Sequence, residues 1–350
     1  MKTVLFVVGP ALGHVGRSVV IARALRGANP GLRIVFAYVT PGRGDRLLPS
    51  EFEAVPVPYR RRGDEGFADG LEQIIHDLRP DLIALDLTPL PWLCLARLGG
   101  IPRAYITNFF LTSLVDVETV QVRALRKNGA DWNRRRRDRG LPELHDAKTL
   151  YDADVVLLCD PEALLPSGID RPHTHHTVGP CIWQPTGALP PALKPFSRLL
   201  LVALGSTGRR PLPPESLRSL RETLHCDAIV RISDEPSAQE PVSGAFAFSG
   251  VPLTPILSRS ALAVTQGGAG STYAALMGEA PVAVWPSRRN HEIMAEVLTA
   301  AGMGAALEDL MSLEPVETRR TVADMKRRIA AAPTEASGPA RAAGILLSML

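Results

Sequence analysis

Three glycines in four positions, Gly267-Gly268-Ala269-Gly270, lie between an apolar run ending at Thr265 and a helical pattern entered through Ser271-Thr272. Small residues at a strand-to-helix junction let a ligand approach the backbone. The opening turn of the helix aims free N–H groups and a partial positive charge outward. That chemistry suits a diphosphate, with Ser271 and Thr272 adding hydroxyl donors. The plainer alternative is a tight turn that needs glycine for its backbone angles. The Gly-x-Gly-x-x-Gly spacing of a nicotinamide site is missing, as is the lysine of a phosphate-binding loop, so neither a dehydrogenase nor a P-loop ATPase is favoured.

A second chemistry belongs to His14, which falls where the first apolar run gives way to a helix. An imidazole there suits the taking of a proton. Asp86 closes another apolar run, Asp81-Leu82-Ile83-Ala84-Leu85-Asp86. A carboxylate beside an imidazole fixes its tautomer and stabilises the imidazolium. Asp81 is a rival partner, and capping of the next helix is a rival role for Asp86. His173-Thr174-His175-His176 gathers three imidazoles, yet no cysteine or carboxylate cluster supports them, so no metal site is expected. The four cysteines, Cys94, Cys159, Cys181 and Cys226, show no C-x-x-C spacing and read as reduced thiols.

The elements that must hold these residues alternate. In the first half, strands are expected at Thr3–Val8, Leu32–Val39, Leu82–Leu85, Ala104–Thr107 and Ala153–Leu158. Helices are expected from about Gly13, over Phe67–Leu78 and over Trp92–Leu98. Val15, Val19, Ile21, Ala22 and Leu25 form one apolar face of the first helix. A polar helical stretch between Val115 and Gly140 ends with five arginines in Asn133–Gly140; it reads as a solvated face, with a wall of an acceptor pocket as the functional alternative. Five prolines between Gly179 and Pro195 read as a linker.

Beyond the linker, strands are expected at Leu199–Leu204, Ala228–Ile232, Ala245–Ser249, Leu262–Thr265 and Val282–Trp285. Helices are expected at Pro214–Leu224, Gly270–Met277 and Glu292–Ala301, with a helical tail from Glu317 broken near Pro333 and Gly338-Pro339. Short buried strands alternating with helices predict an α/β protein with parallel, doubly wound sheets. The domains are then 1–180, a linker 181–197, 198–335, and a C-terminal helix 336–350 that packs back on the first domain. Ligands of such sheets bind beyond the carboxyl ends of the strands, and a cleft between two halves is a favoured site.

Composition narrows the classes. In 350 residues, 39 Lys+Arg against 36 Asp+Glu leave +3, too little for a nucleic-acid or membrane-surface footprint. No apolar run reaches the roughly 18 residues a membrane helix needs. The apolar opening carries one charge, Lys2, and no small-x-small cleavage site follows it, so a cytoplasmic protein is expected.

Four pieces in order carry a family resemblance. Thr265–Gly304, Leu204-Gly205-Ser206-Thr207-Gly208, Gly250-Val251-Pro252-Leu253 and Gly13-His14-Val15 together resemble GT-B glycosyltransferases of the natural-product and UDP-glycosyltransferase family. Lipid II synthase is a more distant likeness. The resemblance is strong in the second half and thin between Val115 and Val155. It implies two Rossmann-like doubly wound domains. It also implies an inverting transfer of sugar from a UDP- or dTDP-sugar to a small hydroxylated or amino acceptor, as in antibiotic biosynthesis. His14 would be the base and Asp86 its helper. The donor would lie on Ser206, Thr207, Val251, Gln266, Gly267, Gly268, Ala269, Gly270, Ser271 and Thr272, with sugar contacts from Asn290 and His291. No metal is implied, because backbone N–H groups and a helix dipole neutralise the leaving group. Phe109, Phe110 and Trp132 are candidate acceptor-pocket walls, with core packing as the alternative.

The sequence departs from the family in three places. Gln266 stands for a histidine that contacts the diphosphate, Ala274 for a glutamate on the ribose, and Asn290-His291 for an acidic residue followed by Gln. These changes leave UDP and dTDP both open, with Arg288 or Arg289 able to restore charge. Two other readings share the fold: a non-hydrolysing nucleotide-sugar 2-epimerase, and a non-catalytic homologue that activates a partner enzyme.

Overall fold

β-branched apolar runs become strands throughout the computed structural model, which describes all residues except 43, 60–64, 113, 116–119, 152, 166–167, 169, 206–211, 234–243 and 333–336. The chain divides into two units: Met1–Asp160 with Ser167–Cys181 and Ser337–Leu350, and Pro161–Pro166 with Ile182–Ala336.

The first unit is built on β1 (Thr3–Val8), β2 (Arg33–Thr40), β3 (Glu53–Pro58), β4 (Leu82–Asp86), β5 (Arg103–Thr107), β6 (Val155–Leu158) and β7 (His175–Thr177). They form one parallel sheet in the order β3-β2-β1-β4-β5-β6-β7. Its helices are α1 (Leu12–Ala28), α2 (Gly44–Leu47), α3 (Glu65–Leu78), α4 (Pro89–Trp92) and α5 (Val120–Asp138). The strand order reverses at β1, so β1 and β4 lie side by side although 73 residues lie between them in the chain, and Val8 pairs with Asp86. Such a switch point opens room above the strand ends.

The second unit repeats the plan with β8 (Leu199–Ala203), β9 (Ala228–Ile232), β10 (Ala245–Phe248), β11 (Ser260–Thr265), β12 (Val282–Val284) and β13 (Gly304–Ala306). The parallel order is β10-β9-β8-β11-β12-β13. Its helices are α6 (Pro214–Thr223), α7 (Thr254–Leu257), α8 (Ala269–Met277), α9 (Arg289–Ala301), α10 (Leu307–Ser312) and α11 (Pro315–Ala331). The last helix, α12 (Gly338–Ser348), belongs to the first unit and packs along α1. It approaches so closely that a Cβ on Gly338 would collide with the carbonyls of Gly179 and Pro180.

Several elements differ from the sequence expectation. β3 was not expected, because Glu53-Ala-Val-Pro-Val-Pro carries two prolines; as an edge strand it tolerates the missing N–H groups. The helix expected over Trp92–Leu98 ends at Trp92 and continues as a turn. Side chains take up the carbonyls that a helix would have used: Arg136 donates to Cys94 O, and Arg139 Nε to Leu95 O at 2.8 Å.

The arginine run is a solvated face only in part: Arg134 and Arg137 are exposed, and the other three are not. Arg136 is buried, and Arg139 pairs with Asp69 and Glu72 of α3 at 2.7 Å each. These contacts clamp the end of α5 onto its neighbours. The proline run is not a free tether either. From Ile182 onward it belongs to the second unit, where Gln184 Nε2 donates to Thr254 Oγ1 at 2.6 Å.

Candidate functional site

In the first unit the site begins at the carboxyl end of β1. Gly9 N–H donates to Asp86 O at 2.9 Å, tying the turn after β1 to the end of β4. A side chain on Gly9 would be crowded, since a Cβ would lie 3.1 Å from Leu87 Cβ and 3.2 Å from His14 Cδ2. The glycine lets the first turn of α1 fold His14 over the strand ends. There His14 Nδ1 lies 2.7 Å from Asp86 Oδ1. An ionised carboxylate only accepts, so Nδ1 carries a proton, and in the neutral ring Nε2 presents a lone pair. The His14 side chain is 18% exposed, whereas Asp86 is fully buried.

Burial by itself would push the Asp86 carboxyl up. The adjacent Arg17 guanidinium, with hydrogen bonds from Arg17 and His14, outweighs it and holds the group below the usual carboxylate range. Burial would likewise favour a neutral Arg17, but the Asp86 charge keeps the guanidinium protonated. Asp81, the rival partner, is at the other end of β4, accepting from Thr3 N at 2.8 Å and pairing with Lys2 at 2.9 Å. The structure thus brings together the two residues named from the sequence and excludes the rival. It adds Arg17, Ser18, Asn108 and Asp160, all buried, which sequence reasoning missed. The one available signal was Arg17 itself, a charge three residues after His14 within an otherwise apolar helical face.

In the second unit, β11 leads into Gln266, buried, and Gly267, whose φ of +86° favours glycine. Gly267 passes so near α9 that a Cβ would fall 2.9 Å from His291 O and from Val284 Cγ1. Gly268 then caps α8, and Thr272 N–H is the first to bond back, to Gly268 O at 3.1 Å. The preceding amides of Ala269, Gly270 and Ser271 form the open helix terminus. Ser271 Oγ bends to Gly268 O at 3.3 Å. Thr272 is buried, with its hydroxyl 3.2 Å from Thr265 Oγ1, so its side chain braces the turn from below. Gln266 Nε2 is buried and finds no hydrogen-bond partner among the described residues. An orphaned amide beside an open helix terminus fits an absent polar ligand.

Asn290 and His291 open α9 beside that turn; Asn290 is half-buried and His291 buried. Burial, with Arg288 adding to it, pushes the His291 imidazole down to about 4. Arg289 is held by Glu292 at 3.1 Å and Glu296 at 2.8 Å, so its charge is answered on α9 itself. Val251 is half-buried after Gly250, whose φ is +64°. Ala274 faces the core. Ser206 and Thr207 lie outside the described residues.

The candidate acceptor walls pack as the core alternative expects. Phe109 and Phe110 are buried and meet edge to face at 5.3 Å, which makes them core residues. Trp132 is half-buried against the core, with the Arg135 guanidinium 5.1 Å from its ring centre. His175 and His176 are successive residues of β7 and point to opposite faces, which separates two of the three clustered imidazoles. Among the described residues, no group of three or more His, Cys, Asp or Glu is placed to hold a metal ion. No helix among them is long and apolar enough to cross a membrane.

No protein-family profile matches the chain. It is similar to a PGL/p-HBAD biosynthesis rhamnosyltransferase of Mycobacterium bovis, 26% identical over 278 residues, covering 71% of the chain and 61% of the relative. It therefore spans about three fifths of that relative's length. A PGL/p-HBAD biosynthesis glycosyltransferase of Mycobacterium tuberculosis is 25% identical over 95% of the chain and 86% of its own length. Among solved structures, the glycotransferase of kitacinnamycin matches with a TM-score of 0.70 at 22% identity, covering 99% of each chain. The calicheamicin glycosyltransferase CalG4 gives 0.68 at 20%, covering all of this chain and 98% of its own. SsfS6 from Streptomyces sp. SF2575, complexed with thymidine diphosphate, gives 0.62 at 18%, covering 99% of this chain and 100% of its own. The two parallel sheets with flanking helices match GT-B glycosyltransferase structures, the fold expected from the sequence.

Proposed function

We propose that this chain is an inverting glycosyltransferase that moves a sugar from a nucleoside diphosphate to a hydroxyl or amine of a small natural-product-like acceptor. The observation that carries the reading is the His14–Asp86 pair, a buried carboxylate orienting an imidazole whose Nε2 lone pair remains available. His14 Nε2 takes the acceptor proton as the acceptor attacks the anomeric carbon. Asp86 holds the ring and balances the imidazolium that forms. One direct displacement inverts the configuration of an α-linked donor.

The leaving diphosphate is held by the amides at the start of α8 and by Gln266. These donors neutralise developing charge without a metal. Asn290 and His291 contact the sugar. The missing ribose glutamate at Ala274 and the thymidine diphosphate bound by a protein of the same fold both support a dTDP-sugar over a UDP-sugar. The rhamnosyl transfer named for one relative makes a deoxysugar the first donor to test.

The test is transfer itself. Purified protein with dTDP- or UDP-sugars and a panel of hydroxylated aromatic and polyketide acceptors, in EDTA, should release nucleoside diphosphate and give a β-linked product from an α-linked donor. His14→Ala should lower turnover by about 10²–10⁴-fold. Near-normal turnover in that variant, or retained anomeric configuration, overturns the mechanism. Conversion of the donor without an acceptor would identify the epimerase instead.

A further inference from the structure

We propose that Arg17 is a positioning residue for the His14–Asp86 pair. It fixes the Asp86 carboxylate by a two-point grip and balances its charge, so that the resting partner is the neutral imidazole a base requires. The proposal rests on His14 acting as the base.

The geometry couples the three groups through one atom. Asp86 Oδ1 receives both His14 Nδ1 at 2.7 Å and Arg17 Nη2 at 2.6 Å. Asp86 Oδ2 receives Arg17 Nε at 2.9 Å and Ser18 Oγ at 3.0 Å. The carboxylate therefore cannot turn about its axis without breaking the guanidinium fork. Arg17 is fixed in its turn, because Nη1 donates to Asn108 Oδ1 at 2.6 Å and Nη2 also faces Ile106 O at 3.3 Å. The Asn108 amide is orientated from behind: its Nδ2 donates to Asp160 Oδ1 at 2.9 Å and to Cys159 O at 3.2 Å. This leaves its oxygen to Arg17. Asp160 is held by the Phe109 N–H at 2.8 Å. A continuous polar relay thus runs along the carboxyl ends of β4, β5 and β6 to α1 and ends at His14, the one member that reaches solvent.

Charge balance gives the relay its consequence. With Arg17 present, a neutral His14 leaves Asp86 and Arg17 as a closed, net-neutral pair. Without it, a neutral His14 would leave a bare carboxylate buried in the unit. The dyad would then hold its proton to higher pH, on the imidazole or on the carboxyl. The other titratable groups around the relay do not replace Arg17. Burial pushes the Tyr105 phenol and the Cys159 thiol up and keeps both neutral, Cys181 is the thiol beside Cys159, and Asp160 faces Asn108 and not the pair. Lysine would supply the charge but not the fork.

The experiment follows the His14 ring by NMR in the full-length chain labelled at histidine, with its signal identified by loss in His14→Gln. The titration midpoint read on that ring is compared in the wild type, Arg17→Met and Arg17→Lys. We expect Arg17→Met to raise it by roughly 1–3 pH units, the size of a close opposite charge. Arg17→Lys should stay within about half a unit of the wild type. If Arg17→Met does not fold by circular dichroism, Arg17→Gln carries the same comparison. A midpoint in the neutral variant within about half a unit of the wild type overturns the proposal, since the Arg17 charge would then not set the protonation of the dyad. Failure of the sugar-transfer reading shows separately, as undiminished turnover in His14→Gln.

Discussion

Acidification should weaken this fold through His291 before it reaches the carboxylates. The ring is buried in the first turn of α9, with Ser287 N 3.5 Å and Ser287 Oγ 3.2 Å from Nδ1. A main-chain N–H can only donate, so Nδ1 holds the lone pair and Nε2 the proton. Burial, reinforced by the charge of Arg288 and opposed by Glu292, lowers the group from 6.5 to about 4. Its folded value lies below its unfolded value, so between the two the unfolded chain binds more protons. The stabilisation is complete above about pH 6.5 and is lost as pH falls towards 4. The drop corresponds to about 3 kcal/mol in full, and to about 2 kcal/mol by pH 5. Solvent around the exposed Arg288 screens its share, which leaves about 1–2 kcal/mol. The assay is urea unfolding of the wild type and His291→Gln at pH 7.5, 6 and 5. The wild type should lose about 1–2 kcal/mol more than the variant across that range. Parallel losses would show that His291 is not the group responsible and would refute the reasoning.

Two further perturbations address the diphosphate turn. Gly267→Ala forces a side chain onto a φ of +86° and against His291 O and Val284 Cγ1 at 2.9 Å. It should cost at least about 1–3 kcal/mol in denaturant unfolding and abolish the thermal shift caused by dTDP or UDP; wild-type stability would contradict the packing described. Gln266→Leu removes a buried amide with no partner among the described residues. Without nucleotide its stability should hold or rise by about 1 kcal/mol, while its nucleotide Kd weakens several-fold. Unchanged affinity by calorimetry would remove Gln266 from the donor site.

The central strands were legible because a parallel strand covered on both faces is a local apolar run, as in Thr3–Val8 and Leu82–Asp86. The glycine turn was legible for the same reason. Its demand for small residues, a positive φ at Gly267 and an open helix terminus is written in consecutive positions. The edge strands β3 and β13 were not, since prolines or a length of only three residues obscure any local period.

Pairings set by topology were harder to see. His14 and Asp86 were each recognisable as strand-end residues, but only the reversal of strand order at β1, with Val8 against Asp86, decided that Asp86 and not Asp81 meets the imidazole. Arg17 drew no reading from the sequence, and the arginines at 134–139 read as a solvated face. Their roles, one closing a buried carboxylate and the others capturing the Cys94 and Leu95 carbonyls, depend on groups 42 to 69 residues away. The sequence by itself determined which segments are strands and which turn suits an anion, because backbone geometry and side-chain size act over a few residues. The tertiary structure alone decided which charges meet, because an ion pair between distant residues is set by sheet register and burial, which no local pattern encodes.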